Sequence, residues 1–267
     1  MSDKNYKWNA ADYAAHSSAQ LTWARELYTK LGLNGNERIL DIGCGDGKIT
    51  AELAARVPDG HVTGVDNSRD MIELAKKNHP QSQHPNLEFQ VMDARQIDFT
   101  DRFDVVFSNA ALHWVRDHGP VLQGISGALR SGGSFLLQMG GAGNAGDLVR
   151  IIDQLIADDP WKDYFQQFEF PYGFHSPETY RTWLDSAGLL ADRNELIMKD
   201  MVYDTREKLT GWFRTTWLPY LERVPSKMQE NFIKTVIDQY LQEYKTDPNG
   251  NIHLQMVRLE VQGAKTT

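Results

Sequence analysis

Through its first half the chain alternates short apolar runs with stretches whose apolar positions recur at helical spacing. Residues 38–42 (Arg-Ile-Leu-Asp-Ile) form the first run, and the glycine cluster Gly43-Cys44-Gly45-Asp46-Gly47 follows it. Ile49, Leu53, Ala54 and Val57 then keep to one helical face until Pro58 and Gly60 end it. A second strand is expected at 61–65 with Asp66 at its tip. Ser68 then suits the N-cap of a helix bearing Met71, Ile72, Leu74 and Ala75. Residues 87–91 alternate as a third strand. Residues 103–108 have the near-continuous apolar centre of a strand buried on both faces. A helical stripe from Val121 to Leu129 leads through Gly132-Gly133 into a fifth strand at 134–139. Such alternation predicts right-handed βαβ units in a doubly wound, mostly parallel sheet.

After Gly140-Gly141 the period changes. Residues 144–168 read as helical and aromatic-rich. Ser176-Pro177 opens another helix, closed by Gly188. Residues 190–203 supply a strand, and helices follow at about 205–218 and 226–244. The turn Asp247-Pro-Asn-Gly250 precedes a last strand at 252–261. The reading is α/β: a single domain over 1–267 with a seven-stranded core and a helical cap. The core covers about 36–140 with 177–204 and 251–263, and cap elements lie at about 1–30, 142–175 and 205–247.

Composition changes this picture little. The 267 residues are 41% hydrophobic and 24% charged, which is ordinary globular usage. A net charge of −8 with no Lys/Arg run argues against nucleic acid as a partner. Cys44, the one cysteine, permits no internal disulfide and fits a reducing, cytoplasmic setting. No apolar run is long enough for a bilayer, the opening eight residues lack a leader's apolar segment, and the eight histidines make no metal constellation. The oligomeric state is left open.

The glycine cluster carries the chemistry. Glycines where a first strand meets a first helix allow positive φ and close approach of a ligand to the backbone. A nicotinamide-binding loop requires G-x-G-x-x-G, but Lys48 stands at the third glycine position. Asp41 and Asp46 would repel a diphosphate and favour a cofactor with a cationic end. Asp66 is placed to accept ribose hydroxyls.

These residues resemble the class I S-adenosylmethionine-dependent methyltransferases. Ile39-Leu-Asp-Ile-Gly-Cys-Gly-Asp-Gly-Lys-Ile-Thr50 is similar to that family's first motif. Asp66 in Gly64-Val-Asp-Asn-Ser68 matches its ribose-binding acid, and Asp93 in Val91-Met-Asp-Ala94 matches the residue meeting the adenine amino group. Asn109 falls where the family lines the methionine end. The resemblance implies S-adenosyl-L-methionine as cofactor, held by Asp41, Gly43, Gly45, Asp66, Asn67, Asp93, Ala94 and Asn109.

Outside the core the chain resembles the trans-aconitate and juvenile hormone acid methyltransferases. The similar segments are Trp8-Asn-Ala with Tyr13 and Gln20, Asn109-Ala-Ala-Leu-His-Trp114, and 174–183. The late stretch 212–220 and Arg258 resemble the aconitate group's lid and last strand, although Leu218 stands where that group places an arginine. The resemblance implies O-methylation of a small organic acid, with Gln20 and Trp114 orienting the acceptor and Tyr13, Trp212 and Arg258 lining its site. A carboxylate is already ionised at neutral pH and needs no general base. For a hydroxyl acceptor His113 would be the base; otherwise it is a wall of the cleft. Other readings are a methyltransferase for a hydroxyl, nitrogen or carbon acceptor, a nicotinamide oxidoreductase, and a non-catalytic cofactor-binding protein.

Overall fold

A computed structural model describes residues 18–266, with side chains from Leu21 onward. Its centre is a seven-stranded sheet in the order β3-β2-β1-β4-β5-β7-β6. The strands are β1 (Arg38–Ile42), β2 (His61–Asp66), β3 (Leu87–Val91), β4 (Phe103–Asn109), β5 (Leu129–Gly140), β6 (Leu189–Tyr203) and β7 (Ile252–Lys265). Strands β1 to β5 pair in parallel and β7 runs antiparallel to β5, as a mostly parallel doubly wound sheet requires. Strand order reverses between β1 and β4. In open α/β sheets ligands bind at the carboxyl ends of the strands beside such a reversal.

The central strands are apolar on both faces because helices cover both. Along β4, Phe103 and Val106 enter one buried cluster, while Val105 and Phe107 enter another. On β5, Phe135 and Leu137 join the first cluster and Leu136 the second. Each fully buried side chain of this size stabilises the fold by roughly 1.5–3 kcal/mol.

The helices begin and end where side chains satisfy their terminal groups. Helices α1 (Ser18–Tyr28), α2 (Lys48–Arg56) and α3 (Arg69–Asn78) precede β3. Ser68 caps α3 by accepting from the Met71 N–H. Helix α4 (Gly119–Ala128) carries Pro120 in its first turn. Helix α5 (Gly146–Ile156) follows β5. Ser176 caps α6 (Pro177–Ser186) by accepting from Thr179, and Gly188 turns the chain out with φ of +66°. Helices α7 (Arg206–Thr216), α8 (Leu218–Leu221) and α9 (Ser226–Glu243) separate β6 from β7.

Two compact units result. Among the described residues the larger holds 18–142, 172–197 and 258–266, and the smaller holds 143–171 and 198–257. Helix α1 was expected among the cap elements at 1–30. It belongs to the larger unit, where Leu27 and Tyr28 pack among Ile39, Leu53 and Leu136. A buried charge fastens the same segment. Glu260, fully buried on β7, accepts from Lys30 (2.6 Å), Gln138 (2.9 Å) and Arg193. Residues 198–204 and 251–257, expected with the core, fall in the smaller unit. The apolar spacing that marked them as strand says nothing about which packed body a strand end joins.

Candidate active site

Three chain segments meet at the carboxyl ends of β1, β2 and β4. The first is the glycine loop after β1. Its Gly43, Gly45 and Gly47 have φ of +76°, +54° and +81°, which side-chain-bearing residues rarely adopt. The N–H groups of Gly43 and Cys44 both donate to the Val65 carbonyl, which ties the loop to β2. A Cβ on Gly43 would lie 2.1 Å from the Cβ of Ala111, and one on Gly47 2.6 Å from the Phe89 ring. A Cβ on Gly45 would meet nothing within 4 Å. Two of the glycines are thus demanded by packing, and the third faces open space.

Two carboxyls stand behind this loop. Asp41 is buried on β1 and accepts from Thr50 Oγ1 at 2.7 Å. Burial, with Asp66 adding to it against the Thr50 bond, pushes its pKa up to about 7. Asp66 is likewise pushed up by burial, opposed by two backbone donors. Its Oδ2 accepts from Gly45 N–H at 3.1 Å and its Oδ1 from Ser68 N–H at 2.9 Å. One oxygen therefore orders the glycine loop and the other the start of α3. Burial and the carboxylates of Asp66 and Asp41 hold the Cys44 thiol well above its ordinary value, which leaves it no nucleophile.

Asp93 follows β3 and caps the short turn Ala94–Gln96. Its Oδ1 accepts from the Arg95 backbone N–H at 2.9 Å and from Nε at 3.0 Å, while Arg95 Nη2 donates to Oδ2 at 2.5 Å. Asn67 is exposed immediately beyond Asp66, and half-buried Ala94 flanks Asp93.

The third segment leaves β4. Asn109 ends the strand. Ala110 takes φ of +54° and donates its N–H to the Gln138 carbonyl at 2.8 Å, so the chain bends sharply into the turn Leu112–Trp114. His118 holds that turn. It is fully buried, and its Nε2 lies 2.9 Å from the carbonyls of both Leu112 and Val115. Two acceptors on Nε2 place the proton there, so Nδ1 accepts from the Tyr180 hydroxyl at 2.7 Å. Burial, followed by nearby His175, lowers its pKa to about 4.

The turn presents His113 and Trp114 to Tyr172 and Phe174. Trp114 meets Tyr172 edge-on at 5.2 Å, Tyr172 stacks on Phe174 at 5.3 Å, and His113 lies 6.1 Å from Phe174. Gly173 sits between these rings because a Cβ there would fall 2.1 Å from the Val115 carbonyl oxygen. The His113 imidazole is held neutral, first by burial and then by the positive charge of Arg258. Its Nδ1 is buried without a hydrogen-bond partner among the described residues. Arg258 itself is buried on β7 opposite Gly140, with its guanidinium 5.6 Å from the Trp23 ring centre.

The structure brings together Asp41, Gly43, Gly45, Asp66 and Asn67 around one loop, and His113, Trp114 and Arg258 in the same unit. Trp212 belongs to the smaller unit, where it is buried beside Tyr203 and Trp217. Tyr13 lies outside the described residues, as does the side chain of Gln20. Thr50, Arg95, His118, Tyr172 and Tyr180 escaped sequence reasoning. Thr50 alone had a local signal, standing at the close of the first motif within one turn of the loop.

Residues 33–187 match the family model for a methyltransferase domain. The chain belongs to the methyltransferase family. An uncharacterised methyltransferase of Schizosaccharomyces pombe is 33% identical, over 76% of this chain and 78% of its own. The trans-aconitate 2-methyltransferase of Variovorax paradoxus is 28% identical, over 97% and 98% of the two chains. Among solved structures, the phosphoethanolamine N-methyltransferase 2 of Haemonchus contortus, in complex with phosphomonomethylethanolamine and S-adenosylhomocysteine, superposes with a TM-score of 0.60. That match has 18% identity and covers 97% of this chain and 57% of that one.

The protein is thus an α/β S-adenosylmethionine-dependent methyltransferase. Its own residues fit that cofactor: an open glycine, two carboxyls of raised pKa that a cation would relieve, and Asp66 with acceptor capacity to spare. Among the described residues no helix is long and apolar enough to cross a membrane, and no His, Cys, Asp and Glu group has a metal-holding arrangement.

Proposed function

We propose that this methyltransferase transfers a methyl group to the carboxylate of a small organic acid. The observation that carries the reading is His113, held neutral beside the positive charge of Arg258 with its buried Nδ1 unpartnered. An imidazole with so low a pKa is a poor proton acceptor at pH 7, which disfavours acceptors that must lose a proton. An anionic acceptor has none to lose, and a nearby guanidinium favours it. Similarity to trans-aconitate 2-methyltransferases along nearly the whole chain supports the same class.

In this reading Gly43 and Gly45, with Asn109, take the methionine end of the cofactor. The remaining lone pairs of Asp66 accept the ribose hydroxyls beside Asn67, and Asp93 with Ala94 takes the adenine. The bound cofactor supplies an electrophilic methyl sulfonium. Beside that cation Asp41 and Asp66, whose pKa values burial raises, would ionise and hold negative charge near the loop. Trp114 N–H and the Gln20 amide orient the acid without neutralising it, so its oxygen stays nucleophilic. The rate advantage then comes from positioning and water exclusion, roughly 7–11 kcal/mol for well-oriented partners.

The test is product chemistry. Incubation with a panel of carboxylic acids and labelled cofactor should yield a methylated product cleaved by mild alkali. With the cofactor saturating, so that its positive charge keeps Asp41 ionised, kcat should stay flat from pH 6 to 8.5. Trp114→Phe and Gln20→Ala should each lower kcat about tenfold or more, by loss of a charge-assisted hydrogen bond. An alkali-stable product, or a rate rising through a histidine-like pKa, would assign a hydroxyl, nitrogen or carbon acceptor instead.

A further inference from the structure

We infer that Arg95 is a positioning residue for adenine recognition, acting through Asp93. An ionised carboxylate offers about two acceptor directions on each oxygen. On Asp93, both directions of Oδ1 are filled by the Arg95 backbone N–H and Nε, and one on Oδ2 is filled by Nη2. A single acceptor direction on Oδ2 is left. The other acid of this region is arranged differently. Asp66 gives one direction per oxygen to backbone donors and keeps one on each, which suits two ribose hydroxyls. The difference comes from one side chain.

The fork has two consequences. A bidentate guanidinium fixes the plane of the carboxylate as well as its charge. It also leaves a site that accepts one hydrogen bond and donates none. The exocyclic amino group of adenine satisfies that site. The 6-oxo group of hypoxanthine presents an acceptor to an acceptor and is rejected. Arg95 and Asp93 are both partly exposed, and two residues of separation do not place side chains together on a regular helix. The short turn Ala94–Gln96 makes their approach possible. Lysine would keep the charge but lose the planar fork.

The inference rests on the placement of adenine beside Asp93 proposed above. It is tested by titrating S-adenosylhomocysteine and its 6-oxo counterpart, S-inosylhomocysteine, into the wild type, Arg95→Ala, Arg95→Lys and Asp93→Asn by calorimetry, with thermal unfolding as a check on folding. The wild type should prefer the adenosyl ligand by about tenfold or more. Arg95→Ala should cut that preference several-fold, by weakening the adenosyl complex while the inosyl complex changes little. Arg95→Lys should fall between. Equal weakening of both ligands by Arg95→Ala, or no change in either, would overturn the positioning role. Wild-type discrimination retained in Asp93→Asn would instead overturn the placement of the adenine, whatever the Arg95 variants show.

Discussion

Replacing Gly43 by alanine should cost the protein both stability and its cofactor, whereas the same change at Gly45 should cost mainly the cofactor. At Gly43 two penalties add. A φ of +76° is unfavourable for any residue with a Cβ, by roughly 1–2 kcal/mol. The new methyl group would also stand 2.1 Å from the Ala111 Cβ, far inside contact distance. Ala111 cannot yield freely. Its neighbour Ala110 is pinned by the bond to Gln138, and the following turn is clamped by His118. Overpacking of this kind costs about 1–3 kcal/mol more. Together these terms predict a drop in melting temperature of about 4–10 °C for a chain of this size. The Cβ on Gly45 strains the backbone but touches no protein atom, so that variant should melt within a few degrees of the wild type. If the cofactor lies against this open face, Gly45→Ala should still weaken S-adenosylhomocysteine binding about tenfold or more. Calorimetry with that ligand and thermal unfolding without it separate the two effects. Wild-type affinity in Gly45→Ala would remove the cofactor from the loop, and an unchanged melting temperature in Gly43→Ala would deny the close approach to β4.

The contrast between these glycines shows what the sequence conveys. Strands β1, β2 and β4 were legible because a strand covered on both faces must be apolar almost throughout, and each ends at a residue that breaks the pattern. The glycine loop was legible because positive φ leaves a compositional trace. Which glycine faces protein and which faces open space was not, since Ala111 is 68 positions from Gly43 and reaches it through the pairing of β1 with β4. His118 shows the same limit. Nothing in its local sequence marks it, and its hydrogen bond to Tyr180 on α6 depends on how α6 packs. Arg95 was hidden for a different reason. Its fork onto Asp93 arises from a turn too short to have a periodicity. Trp212 resembles a lid residue in sequence, and its burial beside Tyr203 and Trp217 within its own unit is a packing detail that no local pattern carries.

Acid should release the His118 clamp, and the effect should be visible as a difference between two proteins. The histidine has a pKa of about 4 when folded, against 6.5 for an ordinary imidazole. Between those values the unfolded chain binds a proton that the folded one does not. The contribution of neutral His118 is therefore fully present above pH 6.5 and declines as the pH falls towards 4. At pH 4.5 the loss relative to pH 7.5 amounts to about 2–3 kcal/mol. His113 and His175 are also lowered and act in the same sense. Asp41 acts in the opposite one. Its pKa of about 7 exceeds the ordinary 3.8, so protonation favours the folded state as the pH falls from 7. Total stability consequently mixes terms of both signs. A comparison with His118→Gln cancels the terms that do not involve this residue, Asp41 among them, because glutamine donates from its amide yet takes up no proton. The variant should be less stable than the wild type at pH 7.5, having lost the bond from Tyr180 and the packing of the ring against Trp183. That gap should close by about 2–3 kcal/mol in urea unfolding at pH 4.5. The rings of Trp114 and Tyr172 provide a second readout, since near-ultraviolet circular dichroism from their edge-on contact should hold down to about pH 5 in the wild type and fade only as the pH approaches 4, where the folded imidazole itself takes up a proton. Two stability curves that stay parallel from pH 7.5 to 4.5 would show that His118 titrates normally and does not depend on its neutral form to hold the turn.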